Sequence, residues 1–144
     1  MNHIDSLAVV LLVSACVASG CGSQESEVHV YEVVNEYRGT FVIVEDKVNG
    51  LDVVPVAGEL TYAIPETGIL RVKDMHYIHY WHSAVARYAN GLSIPDGNMS
   101  SPDTVSFHSI SYVDGKYHWF AIGTQADVDE SLGSERITKM LEAK

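Results

Sequence analysis

Histidines are the side chains of this sequence best suited to chemistry. Five lie in its second half, at His76, His79, His82, His108 and His118. Neutral imidazoles bind zinc and copper, so the spacing His76-x-x-His79-x-x-His82 makes a metal site a hypothesis. On a strand, His79 would point away from His76 and His82, and those two would lie about 20 Å apart at roughly 3.3 Å per residue. A local site therefore requires a helix, and a cross-strand site requires His108 or His118.

Which of these arrangements is possible depends on whether the segment from Met75 to Tyr88 forms a strand or a helix. Its aromatic density favours a strand, and Ala89-Asn90-Gly91 after it is typical of a hairpin turn. The alternative is a helix in which His76 and His79 lie one turn apart. We predict the strand, in which the histidines are half-buried polar rings rather than metal ligands.

Familiar catalytic motifs are absent from the sequence. It contains no G-x-S-x-G, no H-E-x-x-H, no phosphate-binding loop and no dinucleotide fingerprint. The carboxylates Asp127, Asp129 and Glu130 are explained by the start of a helix, where the dipole favours negative charge. We therefore predict no catalytic residue and no cofactor, and we do not expect an enzyme. A small metalloenzyme built on the histidines is the alternative.

Aromatic side chains offer a third kind of chemistry, a stacking surface for a protein or carbohydrate partner. Tyr77, Trp81 and Trp119 are the candidates. Such residues more often form core and cross-strand pairs. Nucleic acid is not an expected partner, because the chain carries 9 Lys and Arg against 19 Asp and Glu, and its net charge of −10 repels phosphates.

The N-terminus has the pattern of a secretory signal peptide. Residues Leu7 to Val13 are all apolar, and small residues and then a polar stretch follow. Ala18-Ser19-Gly20-Cys21 resembles a bacterial lipobox, in which the cysteine is lipidated, and the four residues that end at Cys16 are a second match. We favour Cys21 because a polar tether follows it. The usual positive start is missing, since Asp5 is the only charge among the first six residues.

These features predict the organisation of the chain. Residues 1–20 would be the signal peptide, 21–27 a flexible tether and 28–144 a single β-rich domain. Several acyl chains anchor a protein stably to a membrane. The predicted protein is a lipoprotein of the cell envelope, outside the cytoplasm, whose membrane partner is bound through the anchor. Simple secretion, or an N-terminal core helix, is the alternative.

Turn signals divide the rest of the chain into about eight to ten short strands, which predicts a mainly β fold. We expect a β-sandwich or barrel-like domain of short antiparallel strands with a short C-terminal helix. Thr40 to Glu45 is predicted to be a strand buried on both faces. Asn49-Gly50 and Asp114-Gly115 are predicted hairpin turns, the first leading into a strand from Leu51 to Val56. Thr124 and Asp127 resemble a capping box, and a final amphipathic turn would contain Ile137, Met140 and Leu141.

Three short motifs occur in an order that resembles a bacterial family. They are Y-x-G at Tyr37–Gly39, I-P-x-x-G-x-L at Ile64–Leu70 and W-F-x-x-G-T at Trp119–Thr124. The sequence from about Val28 to Asp127 resembles a family of small uncharacterised secreted or lipid-anchored proteins. The resemblance implies a single β domain outside the cytoplasm. It implies no catalytic residue, because the family has no assigned activity.

Overall fold

Short runs of β-branched and aromatic residues form the strands of the computed structural model. The structure describes residues 27–79, 82–113, 116–131, 139 and 142. The predicted signal peptide, Cys16, Cys21, Trp81 and the final amphipathic turn therefore lie outside the described residues. The strands are β1 Val28–Val33, β2 Gly39–Glu45, β3 Glu59–Ala63, β4 Ile69–Val72, β5 Ser83–Tyr88, β6 Ser93–Ile94, β7 Ser106–Val113 and β8 Tyr117–Gly123.

The described strands form two open sheets that pack face to face, which confirms the mainly β, sandwich-like fold. One sheet has the order β3-β1-β5-β6, and the other has the order β4-β2-β8-β7. Aromatic rings of both sheets meet in the core between them, where Tyr31 of the first sheet contacts Phe41, Phe107 and Phe120 of the second. Strand β2 is buried on both faces as predicted, since Val42 and Val44 pack with Trp119 on its outer side.

The pairing of the strands differs from the antiparallel arrangement expected. β1 pairs parallel with β3 and with β5, and β2 pairs parallel with β4. The reason is that β1 to β5 alternate between the two sheets, so neighbours in one sheet run the same way. Among the described strands, only the pairs β2–β8, β5–β6 and β7–β8 are antiparallel. The β7–β8 pairing confirms the predicted hairpin, although residues 114 and 115 are not described.

The predicted hairpin at Asn49-Gly50 and the strand after it are wrong. The Gly50 N–H does close a turn by donating to the Asp46 carbonyl at 2.8 Å. The chain then bridges β4 through Leu51 and forms only one further isolated bridge, between Val56 and Glu59. A Cβ on Gly50 would lie 2.3 Å from the Val72 carbonyl carbon, so only glycine allows this close passage beside β4.

Alternation between the sheets gives the sandwich two distinct ends. We define the base as the end where β1, β3 and β5 begin and β2 and β4 end. The top is the opposite end, where β1, β3 and β5 finish. The segment 46–58 crosses the base from β2 to β3, and the turns after β1 and β5 lie at the top.

Helices occupy two of the connections. The helix α1, His76–His79, replaces the first part of the predicted strand over Met75 to Tyr88. Its first turn is capped, because the Asp74 carboxylate accepts a hydrogen bond of 2.7 Å from the His76 N–H. A short 3₁₀ turn spans Gly97–Met99.

The predicted C-terminal helix is confirmed as α2, Gln125–Ser131. The Thr124 N–H donates to Asp127 Oδ2 at 2.8 Å, and the Asp127 N–H donates back to Thr124 Oγ1 at 3.3 Å, as a capping box requires. The Asp127 carboxylate accepts from the Thr124 N–H and, at 2.9 Å, also from the Thr124 hydroxyl, and these two hydrogen bonds, the backbone one first, lower the pKa of Asp127 below its usual value.

Candidate functional site

The five candidate metal ligands are distributed over several elements. His76 and His79 lie one turn apart on α1, which is the arrangement that a local site would need. His82 lies directly before β5, and its ring stacks on His29 of β1 with the ring centroids 3.7 Å apart. Within the described part of the chain, no three His, Cys, Asp or Glu side chains are close enough together to hold a metal ion.

His108 and His118 lie on neighbouring strands but face opposite sides of their sheet. His108 pairs with Ala121 and shares the outer side with Trp119, and its Nε2 lies 3.0 Å from Ser106 Oγ. His118 lies on the side of Phe120, on whose ring it stacks with centroids 4.3 Å apart. Ser109 Oγ lies 3.1 Å from its Nε2. One metal ion cannot bind both rings in this arrangement.

His29 and His82 form a close pair of imidazoles that the sequence analysis did not predict. His29 is only 1% exposed, and Nδ1 of its ring has no hydrogen-bond partner among the described residues. Burial first, and then the nearby His82, lowers the pKa of His29 from 6.5 to about 4. The His29 ring is therefore neutral at pH 7. Nothing in the spacing of these two residues, 53 positions apart, indicates that they meet.

Two of the three aromatic candidates can be located. Tyr77 lies on α1, half-buried against the core, with its ring edge-on to His76 at 5.7 Å. Trp119 is 1% exposed and packs with Val42 and Val44, so its ring has no face open to a partner. The third candidate, Trp81, lies outside the described residues.

A polar cleft at the top is the best candidate binding site. Because β1 and β5 are parallel neighbours, the turns after them meet at the same edge of the sheet. Two hydrogen bonds join these turns. The Asn90 N–H donates to Asn35 Oδ1 at 3.0 Å, and the Ala89 N–H donates to the Val33 carbonyl at 2.8 Å. The cleft has a volume of about 640 Å³ and is lined by Asn35, Glu36, Arg38, Tyr88, Asn90 and Leu92.

The backbone at this cleft is held in an unusual conformation. Glu36 has a φ of 61°, which lies in the left-handed region. This conformation is energetically unfavourable for any residue other than glycine. The turn around it is closed by the Tyr37 N–H, which donates to the Val34 carbonyl at 3.1 Å. The Tyr37 hydroxyl donates to the Thr40 carbonyl at 2.9 Å and fixes the start of β2. The turn therefore presents Glu36 and Arg38 from a fixed backbone.

The cleft combines groups that suit a small polar ligand. Arg38 supplies several N–H donors and Glu36 supplies acceptors, while the amides of Asn35 and Asn90 can do both. Tyr88 adds a half-buried ring. The two charges cancel, so the lining does not select for a charged ligand. Its volume lies within the usual range of ligand sites, roughly 300–1,000 Å³.

A second groove lies at the base. It has a volume of about 470 Å³ and is lined by Val54, Val56, Ala57, Glu59 and Thr61. Val54 and Val56 are exposed, so this groove is more apolar than the cleft at the top.

Comparison with known proteins adds one structural likeness. No protein-family model and no curated protein matches the sequence. Among solved structures, a "putative lipoprotein" from Bacillus anthracis has a similar fold, with a TM-score of 0.49, 12% identity, and coverage of 81% of this chain and 93% of that chain. A likeness at this level transfers no function, and the three family motifs stay a prediction. None of the helices in the described residues is long and apolar enough to cross a membrane.

Proposed function

We propose that the protein is a lipid-anchored domain of the bacterial cell envelope that binds a small, neutral, hydroxyl-rich ligand, a saccharide, in the top cleft. The observation that carries the proposal is the meeting of Asn35, Glu36, Arg38, Tyr88 and Asn90 around one cleft. Adjacent hydroxyls can each donate and accept, which matches amide, carboxylate and guanidinium groups. The ring of Tyr88 can pack against the apolar face of a sugar.

The position of the cleft agrees with an anchor at Cys21. The chain enters the described domain at the base, where β1 begins at Val28. Val28 is seven positions after Cys21, and this length of chain reaches at most about 25 Å. The cleft lies at the other end of β1, roughly 20 Å further away at about 3.3 Å per residue. A ligand could therefore enter the cleft without obstruction by the membrane.

Metabolic labelling tests the anchor. Cells fed an alkyne-bearing fatty acid should incorporate it into the wild-type protein and into Cys16→Ser, but not into Cys21→Ser, because only the Cys21 thiol would be acylated. The label is detected by click chemistry after purification. Label retained in Cys21→Ser and lost in Cys16→Ser would move the anchor to Cys16. A wild-type protein without label would contradict the anchor altogether.

Titration with neutral disaccharides tests the cleft. Maltose and N,N′-diacetylchitobiose serve as probes, and amide NMR spectra report the contact. We expect at least one of them to shift the side-chain amide signals of Asn35 and Asn90. Arg38→Gln should weaken that binding at least about tenfold, since a charge-assisted hydrogen bond is worth roughly 1.5–3 kcal/mol.

The matched control for this titration is Arg71→Gln. Arg71 is an exposed arginine on β4, which runs toward the base, and its loss should leave sugar binding unchanged. Shifts spread over the whole surface, or none at tens of millimolar sugar, would refute saccharide binding in the cleft.

A further inference from the structure

Exposed aliphatic side chains are concentrated at the base. Val48, Leu51, Val54 and Val56 lie within nine consecutive residues, and each is at least 61% exposed. We refer to these four side chains as the basal apolar surface. Val54 and Val56 also line the same groove. Isolated exposed apolar residues are ordinary on soluble proteins, whereas exposed apolar residues grouped together are a feature of interaction sites.

The segment that carries this surface has fixed backbone hydrogen bonds. The Asp46 N–H donates to the Val72 carbonyl at 2.7 Å, and the Leu51 N–H donates to the Arg71 carbonyl at 2.9 Å. Further along, Val53 packs against the core while Val54 beside it points to solvent. The exposed side chains are thus presented by an ordered segment whose inward positions are already filled.

The chain that leads to the predicted anchor enters the domain beside this surface. The Val28 N–H donates to the Gly58 carbonyl at 3.2 Å, two residues after Val56. Only six residues lie between Cys21 and Val28. An acyl group on Cys21 would therefore hold the base, rather than the top, within about 25 Å of the bilayer.

We propose that the basal apolar surface contacts the lipid bilayer and fixes the orientation of the domain on it. This inference rests on the anchor proposed above, because the anchor brings this end to the membrane. The transfer of aliphatic side chains from water to the boundary between headgroups and acyl chains is favourable, because it lowers the free energy. The contact would turn the cleft away from the bilayer, and the domain would not tumble freely on its tether.

Charge does not drive this contact. Three of the cations near the base lie beside carboxylates, Lys47 beside Glu45 at 3.9 Å, Arg71 beside Asp46 at 3.7 Å, and Lys73 beside Asp52. A fourth, Lys116, is exposed at the same end. The whole chain has a net charge of −10, which is repelled by anionic lipid. Binding should therefore be at least as strong on uncharged as on anionic vesicles, and added salt should not weaken it.

Depth measurements with the full-length, acylated protein test the proposal. Single cysteines for the fluorophore NBD replace Val54 or Val56 in a Cys16→Ser background, in which Cys21 is blocked by its lipid. Leu92→Cys, also exposed but located at the cleft, is the matched control. On phosphatidylcholine vesicles, we expect NBD emission at positions 54 and 56 to shift to the blue and to be quenched by nitroxides on the acyl chains. Emission at position 92 should do neither.

Other outcomes overturn the inference in distinguishable ways. An acylated protein with no blue shift at positions 54 and 56 would leave the anchor intact and refute the basal contact. A blue shift that appears without lipid and grows with protein concentration would assign the surface to a second copy of the chain. A blue shift that requires phosphatidylglycerol and vanishes in high salt would show that the contact is electrostatic rather than apolar. A protein without lipid on Cys21 that stays off the vesicles would refute both anchor and contact.

Discussion

Replacing Tyr31 with alanine is expected to remove a large part of the domain's stability, whereas Tyr31→Phe should stabilise it. The Tyr31 ring is fully buried and lies between the sheets, with its centroid 4.5 Å from that of Phe120 and 5.3 Å from those of Tyr62 and Phe107. Loss of a large buried ring costs about 3–5 kcal/mol. A domain of this size is typically stable by only about 5–15 kcal/mol.

Tyr31→Phe is expected to change the free energy of unfolding in the opposite direction, because it removes only the hydroxyl. Tyr31 Oη is buried and has no hydrogen-bond partner among the described residues. Burial first, and then the neighbouring Tyr62, raises the pKa of Tyr31, so the group stays neutral. An unpaired buried polar group costs about 1–3 kcal/mol, and phenylalanine removes it while keeping the ring. Guanidinium denaturation would measure the change as a higher midpoint at an unchanged slope.

Tyr37→Phe is the matched control for the hydroxyl. The Tyr37 hydroxyl donates to the Thr40 carbonyl at 2.9 Å, so its loss should destabilise the protein by about 1 kcal/mol. If Tyr31→Phe is destabilising to the same extent, the Tyr31 hydroxyl is satisfied in solution and the expectation fails.

Acid should destabilise the wild-type domain through His29. The pKa of His29 is lowered to about 4 in the folded protein, whereas an unfolded histidine has its ordinary value near 6.5. Between these values the unfolded chain binds a proton that the folded chain does not, so the free energy of unfolding falls as pH falls. The loss between pH 7 and pH 4.5 is roughly 2 kcal/mol from this residue alone.

The variant His29→Leu isolates this contribution. Leucine cannot bind a proton, so the variant should lose about 2 kcal/mol less than the wild type between pH 7 and pH 4.5. At pH 7 it should be close to the wild type, because an apolar side chain replaces a ring with an unpaired buried nitrogen. Denaturation curves at both pH values give the comparison. His76→Gln, at an exposed position on α1, should retain the full acid dependence, and equal losses in all three proteins would contradict the assignment.

Local features of the fold could be predicted from the sequence. The apolar run of β2, the β7–β8 hairpin and the capping box at Thr124 each depend on residues within a few positions of one another. For α1 the helix is the alternative that the sequence analysis does not prefer, although Asp74, two positions before His76, is a capping residue that favours it. Aromatic density outweighed that signal in the prediction of a strand.

The candidate site could not be predicted, because it depends on parallel pairing. Asn35 and Asn90 are 55 residues apart, and each looks like an ordinary turn residue. Their contact follows from β1 lying beside β5 and running in the same direction. No local pattern distinguishes this arrangement from a sheet of hairpins, and the same is true of the His29–His82 stack.

The parallel placement of β1 between β3 and β5 also sets the order in which the protein can fold. During synthesis the chain emerges N-terminus first, but β1 has no hydrogen-bonding neighbour among the described strands until β3 follows, and its second edge stays open until Tyr88 has emerged. Non-local pairing of this kind is slow, because a long loop must close before it is stabilised. The incomplete chain therefore presents an apolar strand edge to its surroundings, and such an edge can pair with other chains. Protection of that edge is a cost that a sandwich built from hairpins of the same strands would avoid.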